Sequence, residues 1–337
     1  MRKIKKLLII RFSSIGDIVL TTPIVRCLKK QRPDIELHYL TKESNAQILE
    51  NNPYLDRIIH LKGSLNETIR ALKKEKYDIV IDLHKNLRSL IIRYSLLKPF
   101  YSYPTLRFKK WLMVKFKINL LPKEHIVDRY FLSVKPIGIE NDNLGLDYFI
   151  SDEDLVALKT LPFNFESGYI VFVVGGKHKT KQIPTNILIE LCNRINYPVI
   201  LLGDNSDKEK ANIIMDNSKE SSIINACGIY NLNQSAALIK YSKGVITPDS
   251  GLMHIASAMD KNIISLWGNT TPAFGMSPYM SKLSKSKVYI IENLTLKCRP
   301  CHRLGYNKCP KKHFLCMNSI NVDEILNIVS SWEKDKN

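Results

Sequence analysis

Short apolar runs alternate with segments of helical spacing along most of this chain, and this pattern constrains the fold more than any other feature. The alternation occurs once in the N-terminal half and begins again near residue 169. The predicted strands are residues 7–10, 35–40, 57–61, 77–83, 169–174, 199–202, 244–246 and 263–267, and the main predicted helices are residues 18–28, 44–50, 66–73, 86–97, 125–134, 185–195 and 233–241. Strands and helices of these lengths in this order predict an α/β fold with two similar, doubly wound parallel sheets.

The length of the chain also favours two domains, because 337 residues exceed what one hydrophobic core usually serves. Residues 136–166 contain Asn141-Asp142-Asn143, Ser151-Asp152-Glu153-Asp154 and Pro162, which are typical of a linker. We therefore place one domain at residues 1–160 and the second at residues 161–337.

The chain is strongly basic, with 50 Lys and Arg against 32 Asp and Glu, a formal charge of +18. Such a balance favours anionic partners, including nucleic acid, phosphorylated sugars and acidic membranes. No RNA-binding signature occurs, so no nucleic acid partner is expected. The apolar run at residues 7–10 is too short for a signal peptide, and no apolar run reaches 18 residues, which predicts a cytoplasmic protein.

Residues 99–123 interrupt the alternation with a segment that contains no acidic residue. Apolar side chains, Trp111 and Phe116 among them, are interleaved with the basic ones. Such a segment can lie in a membrane interface with its Lys and Arg on lipid phosphates. The alternative is a helix that packs on its own domain with a solvated basic side. The basic residues are Arg107, Lys109, Lys110, Lys115, Lys117 and Lys123.

The turn after the predicted strand at residues 244–246 has the features of an anion site. Backbone N–H groups at Ser250 and Gly251 would open a helix, where unpaired donors and the helix dipole attract phosphate. Asp249 would repel a bare phosphate, which suggests that it accepts hydrogen bonds from a sugar or ribose hydroxyl. His254 falls on the same side of the helix as Ser250. The alternative is that Asp249 and Ser250 only cap the helix.

Charged residues follow two other predicted strands. Asp17 comes after Gly16 at the first strand-to-helix turn, where it could act as a general base if shielded from water, or simply serve as a first-turn acid. Lys177, Lys179 and Lys181 follow a glycine pair and could neutralise a diphosphate leaving group, or form a solvated loop. Neither a P-loop nor a complete G-x-G-x-x-G occurs, which argues against a dinucleotide-dependent redox enzyme.

These residues share one kind of position in the predicted fold. Open α/β sheets bind ligands at the carboxyl ends of their strands. Two facing domains would bring such residues into one cleft, which favours function over capping for Asp249. The residues at predicted strand ends are Asp17, Lys181, Asp207 and Asp249.

The seven cysteines form two groups. Cys298, Cys301, Cys309 and Cys316 cluster near the C-terminus together with His302 and His313. This spacing leaves zinc binding, disulfide pairing and free thiols open. The remaining cysteines, Cys27, Cys192 and Cys227, lie in apolar surroundings and are predicted to be buried in the core.

Taken together, the motifs resemble glycosyltransferase family 9, the bacterial ADP-heptose:lipopolysaccharide heptosyltransferases. The resemblance extends over nearly the whole chain. It implies a GT-B fold, with two Rossmann-like domains facing across a cleft, the acceptor on the N-terminal domain and the nucleotide sugar on the C-terminal domain. The matching segments are residues 9–17, 181–184, 203–207 and 249–254, and the Cys298-Arg299-Pro300-Cys301 and Cys309-Pro310 runs.

The resemblance also implies roles for individual residues. Asp17 corresponds to the catalytic base of a Ser-x-Gly-Asp motif, whose Ser14 and Gly16 would lie on the acceptor side of the cleft. Lys181 would contact the phosphate or sugar of the donor. Asp207 would hold the ribose, although some members have Glu there. Ile183 replaces a tryptophan that is usual between the Lys and the Pro. The donor-binding turn would consist of Asp249, Ser250, Gly251 and His254.

The implied reaction is an inverting transfer of heptose from ADP-heptose to the lipopolysaccharide inner core, with no metal and no cofactor. Because that acceptor is anionic and anchored in the inner leaflet, the protein is expected at the cytoplasmic face of the inner membrane as a peripheral protein. One alternative is a related transferase that uses another nucleotide sugar. The other is a non-catalytic basic protein that binds membrane or RNA.

Overall fold

The chain forms two compact units in a computed structural model that describes residues 4–155, 161–162, 165–219 and 222–334. The first unit comprises Met1–Leu106, Glu124–Phe149 and Tyr279–Leu283. The second comprises Arg107–Lys123, Ile150–Pro278 and Ser284–Asn337. The domain boundary predicted after residue 160 falls at the end of residues 156–160, which lie outside the described part of the chain. The acceptor and donor roles of the two halves stay predictions.

The first unit is built on a five-stranded parallel sheet in the order β3-β2-β1-β4-β5. Its strands are β1 (Lys6–Ile10), β2 (Glu36–Lys42), β3 (Arg57–Leu61), β4 (Ile79–Asp82) and β5 (Phe100–Ser102). Its helices are α1 (Ile15–Val19), α2 (Thr22–Gln31), α3 (Leu65–Lys74), α4 (Leu87–Ser95) and α6 (Ile126–Phe131), with 3₁₀ segments at Glu43–Ile48 and Lys135–Ile137.

The central strand of this sheet is β1, whose residues Leu7 to Ile10 are all fully buried. Burial on both faces explains why this run of four residues is continuously apolar rather than alternating. Strands β2 and β4 lie on either side of it, so the segments that follow β1, β2 and β4 emerge at the same edge. That edge, which holds Asp17, is the carboxyl edge of the first sheet.

Residues far apart in the chain complete the first unit. Arg26 of α2, 3% exposed, forms ion pairs with Asp142 and Asp147 and donates to the Gly145 carbonyl at 2.8 Å. The Tyr279 hydroxyl donates to Asp128 of α6 at 2.8 Å. The returning segments 124–149 and 279–283 are therefore held to this unit by buried polar contacts, which are costly to leave unpaired.

The second unit is built on a six-stranded parallel sheet in the order β11-β10-β9-β6-β7-β8. Its strands are β6 (Ile170–Val173), β7 (Val199–Leu202), β8 (Ile223–Asn225), β9 (Gly244–Pro248), β10 (Asn262–Trp267) and β11 (Val288–Glu292). Its helices are α5 (Arg107–Phe116), α7 (Thr185–Arg194), α8 (Lys208–Asp216), α9 (Leu232–Tyr241), α10 (Gly251–Ala258), α11 (Leu315–Asn318) and α12 (Val322–Lys334), with 3₁₀ segments at Asp152–Leu155, Lys179–Lys181, Asn205–Asp207 and Pro272–Phe274.

Helices α7 and α12 pack on one face of this sheet through a cluster that includes Phe172, Leu188, Ile264 and Trp332. The indole of Trp332 lies so close to the start of β9 that a Cβ on Gly244 would come within 2.3 Å of the ring. Glycine is therefore required where the helix approaches the strand.

The α/β class and the two parallel sheets predicted from the sequence are confirmed. The helix predicted at residues 44–50 is wrong, because Glu43–Ile48 forms a 3₁₀ segment instead. Strands β5, β8 and β11 and helix α12 were not predicted. Within the described residues, the chain forms no helix with the length and apolar content needed to cross a bilayer.

Candidate active site

Asp17 lies on the first turn of α1, at the carboxyl edge of the first sheet. Its Oδ2 accepts hydrogen bonds from the Ser14 backbone N–H at 3.1 Å and from Ser14 Oγ at 2.6 Å. Its Oδ1 is 2.6 Å from Arg11 Nη2, and the side chain is 22% exposed. The carboxylate therefore forms local contacts and an ion pair while part of it still faces solvent. Ser14 is exposed beside it, and Gly16 is buried.

Arg11 is the residue that sequence reasoning missed at this edge. It is buried, and besides its pair with Asp17 it donates to the carbonyls of Ser13 and Leu83. The guanidinium stabilises the charged form of the carboxylate and limits its orientation. The available signal was an arginine directly after a fully apolar strand, since a buried charge needs a partner.

His84 follows β4 at the same edge and packs against Phe12, with ring centroids 4.6 Å apart. Its Nδ1 is buried without a hydrogen-bond partner. Burial, followed by the nearby positive charge of Arg11, lowers the pKa of His84 to about 4. The imidazole is therefore neutral near pH 7, in contrast to the charged pair of Arg11 and Asp17 beside it.

The low pKa of His84 predicts a specific loss of stability in mild acid. An unfolded histidine titrates near pH 6.5, so between about pH 6.5 and pH 4 the unfolded chain binds a proton that the folded chain does not. The free energy of unfolding should therefore decrease as the pH is lowered. This group alone should account for a decrease of about 2 kcal/mol between pH 7 and pH 5. Urea titrations of the parent and of His84→Gln should show a shallower fall in the variant, whereas equal falls would show that His84 titrates normally.

An open cavity of about 500 Å³ lies in the first unit, where β2 and β3 end and α4 begins. Lys42 and Arg88 contribute positive charge to its wall, and Glu43 contributes the one carboxylate. The Arg88 guanidinium also lies 5.9 Å from the centre of the Phe12 ring. The carboxyl edge of the first sheet therefore offers space and positive charge. The remaining wall residues are Ser44, Leu61 and Gly63.

Lys181 and Asp249 are brought together in the second unit. Lys181 Nζ is 2.6 Å from Asp249 Oδ2, and the two side chains are 17% and 15% exposed. Thr270 Oγ1 donates to the same oxygen at 2.9 Å. The pairing of β6 with β9 explains this contact, because it places the segment after β6 beside the turn after β9. Lys177 and Lys179 are exposed.

Ser250 is the N-cap of α10, and its Oγ accepts from the Met253 N–H at 3.3 Å. The Ser250 side chain therefore caps the helix, which was the alternative to a functional role. Thr247 Oγ1 lies 3.1 Å from Ser250 Oγ. Gly251 is the first residue of the helix, and His254 is 3% exposed. The free N-terminal N–H groups of an eight-residue helix remain suited to an anion.

Asp207 is almost fully buried, and its Oδ2 accepts from the Asp204 N–H at 3.0 Å. Burial raises its pKa, and burial lowers the pKa of neighbouring Lys210 to about 8. A Cβ on Gly175 would lie 1.9 Å from the Asp207 carboxylate, and one on Gly203 would lie 2.8 Å away. The carboxylate thus occupies the space between the ends of β6 and β7. Its assignment to ribose stays a prediction.

The C-terminal cysteines lie near one another in the second unit as free thiols. Cys298 Sγ is 3.8 Å from His313 Nε2, and Cys301 Sγ donates to the Cys298 carbonyl at 3.1 Å. Burial raises the pKa of Cys301 to about 11. In the part of the chain that the structure describes, no three His, Cys, Asp or Glu side chains are arranged to hold a metal. Cys27, Cys192 and Cys227 are buried, as predicted.

Helix α5 carries the basic and aromatic residues predicted for a membrane interface or for packing. None of its residues is buried, and Trp111 is 48% exposed. Lys117, just after the helix, donates to the carbonyls of Cys298 and Pro300 at 3.0 and 2.7 Å. The helix is thus attached at its C-terminal end while its apolar side chains remain accessible.

Comparison with known proteins gives one consistent result. The family model of glycosyltransferase family 9 (heptosyltransferase) matches residues 65–308. Lipopolysaccharide heptosyltransferase 1 of Campylobacter coli is 24% identical, over 98% of this chain and 100% of that protein.

Solved structures agree in fold. A family 9 glycosyltransferase from Veillonella parvula has a TM-score of 0.78 at 22% identity, over 98% of both chains. The ADP-heptose lipopolysaccharide heptosyltransferase II of Escherichia coli has a TM-score of 0.76 at 21% identity, over 97% of this chain and 98% of that chain. These similarities confirm the GT-B fold class that the sequence predicted.

Proposed function

Because this chain belongs to glycosyltransferase family 9, we propose that it transfers heptose from ADP-heptose to the inner core of lipopolysaccharide, with inversion at the anomeric carbon. Membership of this family makes the protein a glycosyltransferase, which rules out the alternative of a non-catalytic binding protein. The main structural support for a nucleotide-sugar donor is the ion pair of Lys181 and Asp249 beside the N-terminus of α10.

The donor would bind in the second unit. Lys181 supplies positive charge for the diphosphate, and the free N–H groups at the start of α10 add further donors. Asp249 orients Lys181 through its Oδ2, and its other oxygen would accept a hydrogen bond from a sugar or ribose hydroxyl. As the bond to the anomeric carbon breaks, negative charge grows on the leaving ADP, and these groups would stabilise it.

Asp17 would act as the general base in the first unit, by accepting the proton of the acceptor hydroxyl as it attacks the anomeric carbon. Arg11 would keep the carboxylate charged and in place between turnovers. Lys42 and Arg88 face the cavity near this edge and suit the carboxylate and phosphate groups of an inner-core acceptor.

Nucleotide preference tests the donor assignment. We expect isothermal titration calorimetry to show tighter binding of ADP than of UDP or GDP, and tighter binding of ADP-heptose than of other sugar nucleotides. Preference for UDP or GDP would replace heptose with another sugar and keep the enzyme class. Absence of binding by all of these nucleotides would contradict the donor site itself.

We also propose that the enzyme works as a peripheral protein at an anionic membrane, through the basic and aromatic side chains of α5. Phe108 is 68% exposed and Phe116 54% exposed, next to Lys109, Lys110 and Lys115. Co-sedimentation with phosphatidylglycerol vesicles should decrease as salt is added, because salt screens the attraction of lysines to lipid phosphates. Salt-independent binding, or no binding, would contradict this role.

A further inference from the structure

Helix α4 of the first unit is apolar on two faces. Its inner face includes Ile92, and Leu96 follows at its C-cap; both lie in the core cluster beside the sheet. Its other face consists of apolar residues at i, i+4 and i+7, continued by one leucine after the helix. We call this set the α4 outer face: Leu87, 73% exposed, Ile91, 41%, Tyr94, 59%, and Leu97, 87%.

The orientation of α4 is fixed by polar contacts with the Asp82 carboxylate at the end of β4. Near the N-terminus of the helix, Ser89 Oγ donates to Asp82 Oδ2 at 3.0 Å. On the inner side, Arg93 Nη1 is 3.4 Å from the fully buried Asp82 carboxylate, and its guanidinium lies 4.2 Å from the Phe100 ring centre. Rotating the helix to bury its outer face would expose this pair and leave Asp82 without its cation, which is costly. The outer face is therefore a stable surface feature.

The chain segment that carries this face is basic. Residues 83–123 contain no Asp and no Glu. Arg88 lies on the first turn of α4 and is exposed, and Lys98 follows Leu97. An exposed apolar stripe between basic residues matches the interface of an anionic bilayer, where apolar side chains enter the acyl boundary and cations contact lipid phosphates.

We propose that the α4 outer face is a lipid-contacting surface that inserts into an anionic bilayer. This inference rests on the proposed function and adds a contact in the first unit to that of α5 in the second. The charge pattern favours lipid over a second copy of the chain. A symmetric dimer through this face would bring Arg88 and Lys98 against the same residues of the other copy, with no acidic residue in the segment to offset them.

The contact would also serve the reaction. Arg88, one residue after Leu87, lines the cavity with Lys42 and lies near Phe12 at the edge that holds Asp17. Insertion of Leu87 would place this edge at the level of the lipid headgroups. The sugar of a glycolipid acceptor would then reach the base while its acyl chains stay in the bilayer.

Flotation with vesicles that mix phosphatidylglycerol and phosphatidylethanolamine tests the proposal. In the full chain, Leu87→Ser/Leu97→Ser should weaken vesicle binding at least about tenfold, because each exposed leucine loses the free energy of transfer out of water. The matched control is Leu283→Ser/Leu294→Ser, since these leucines are 78% and 81% exposed and lie outside the basic segment. The control should bind like the parent.

Two results would overturn the proposal. One is unchanged binding of Leu87→Ser/Leu97→Ser while Phe108→Ser/Trp111→Ser loses binding, which would leave membrane docking to α5 alone. The other is a dimeric parent in lipid-free buffer that the α4 variant converts to a monomer, which would assign the face to a second copy.

Transfer to a deacylated, water-soluble acceptor separates this inference from the proposed function. The α4 variant should match the parent on that acceptor and fall behind it on vesicle-bound acceptor. A parent that transfers heptose to neither acceptor would refute the proposed function, and the vesicle-binding result would still decide the role of the α4 outer face.

Discussion

Asp17→Asn should lower turnover by about 10²- to 10⁴-fold while the affinity for ADP-heptose stays close to that of the parent. The amide cannot accept the proton of the acceptor hydroxyl, whereas the residues proposed to bind the sugar donor lie in the other unit. Turnover should be measured at saturating donor and acceptor, and donor affinity by calorimetry. A variant that keeps near-parental turnover would remove Asp17 from the role of base.

Stability must be controlled in this experiment, because Asp17 also pairs with the buried Arg11. Asp17→Asn removes that charge and should lower the free energy of unfolding by about 2 kcal/mol. The loss is smaller than for a fully buried ion pair because the carboxylate is partly exposed. Asp17→Glu keeps the charge but moves the carboxylate, so it should retain more stability and still lose most activity. The control is Asp34→Asn, which breaks a surface ion pair with Arg32 and should change neither the stability nor the activity of the protein.

Lys181→Ala should raise the dissociation constant of ADP-heptose by about tenfold to a hundredfold and slow turnover as well. The substitution removes a cation from the diphosphate and also leaves Asp249, which is 15% exposed, without its ion-pair partner. Calorimetry with ADP and ADP-heptose measures the first effect. Unchanged donor affinity would show that the diphosphate binds elsewhere.

Two further variants separate these contributions. Lys179→Ala removes an exposed lysine from the same 3₁₀ segment, so it should bind donor like the parent. Lys181→Ala/Asp249→Asn also removes the unpaired carboxylate, and it should recover part of the lost affinity. If the double variant binds no better than Lys181→Ala, repulsion by Asp249 is not part of the defect.

The fold followed from the sequence where elements are long and strongly apolar. The strand, glycine turn and helix around Asp17 are an example, since burial on both faces makes Leu7–Ile10 of β1 a continuous apolar run. Strands β5 and β8 have three residues each, which is too short for a periodicity to appear. Residues 44–50 were misassigned because so short a segment does not distinguish a 3₁₀ turn from an α-helix.

The site was predictable as a set of positions and not as a set of contacts. Lys181 and Asp249 were each assigned to a strand end, but their contact depends on β9 being the neighbour of β6, and strand order is not encoded in residue spacing. The pairing of Asp17 with Arg11 depends similarly on the turn geometry. The buried position of Asp207 depends on two glycines that follow different strands, Gly175 after β6 and Gly203 after β7.

The path of the chain limits how members of this family can be recombined. The chain passes between the two units after residues 106, 123, 149, 278 and 283. A chimera with a single junction near residue 160 would therefore take Tyr279 from one parent and its partners Asp128 and Asn141 from the other. Exchanging donor specificity by replacing the whole C-terminal half would therefore require matched residues at the contact of Tyr279 with Asp128 and Asn141. Replacing only the segments around Lys181 and Asp249 leaves that contact unchanged.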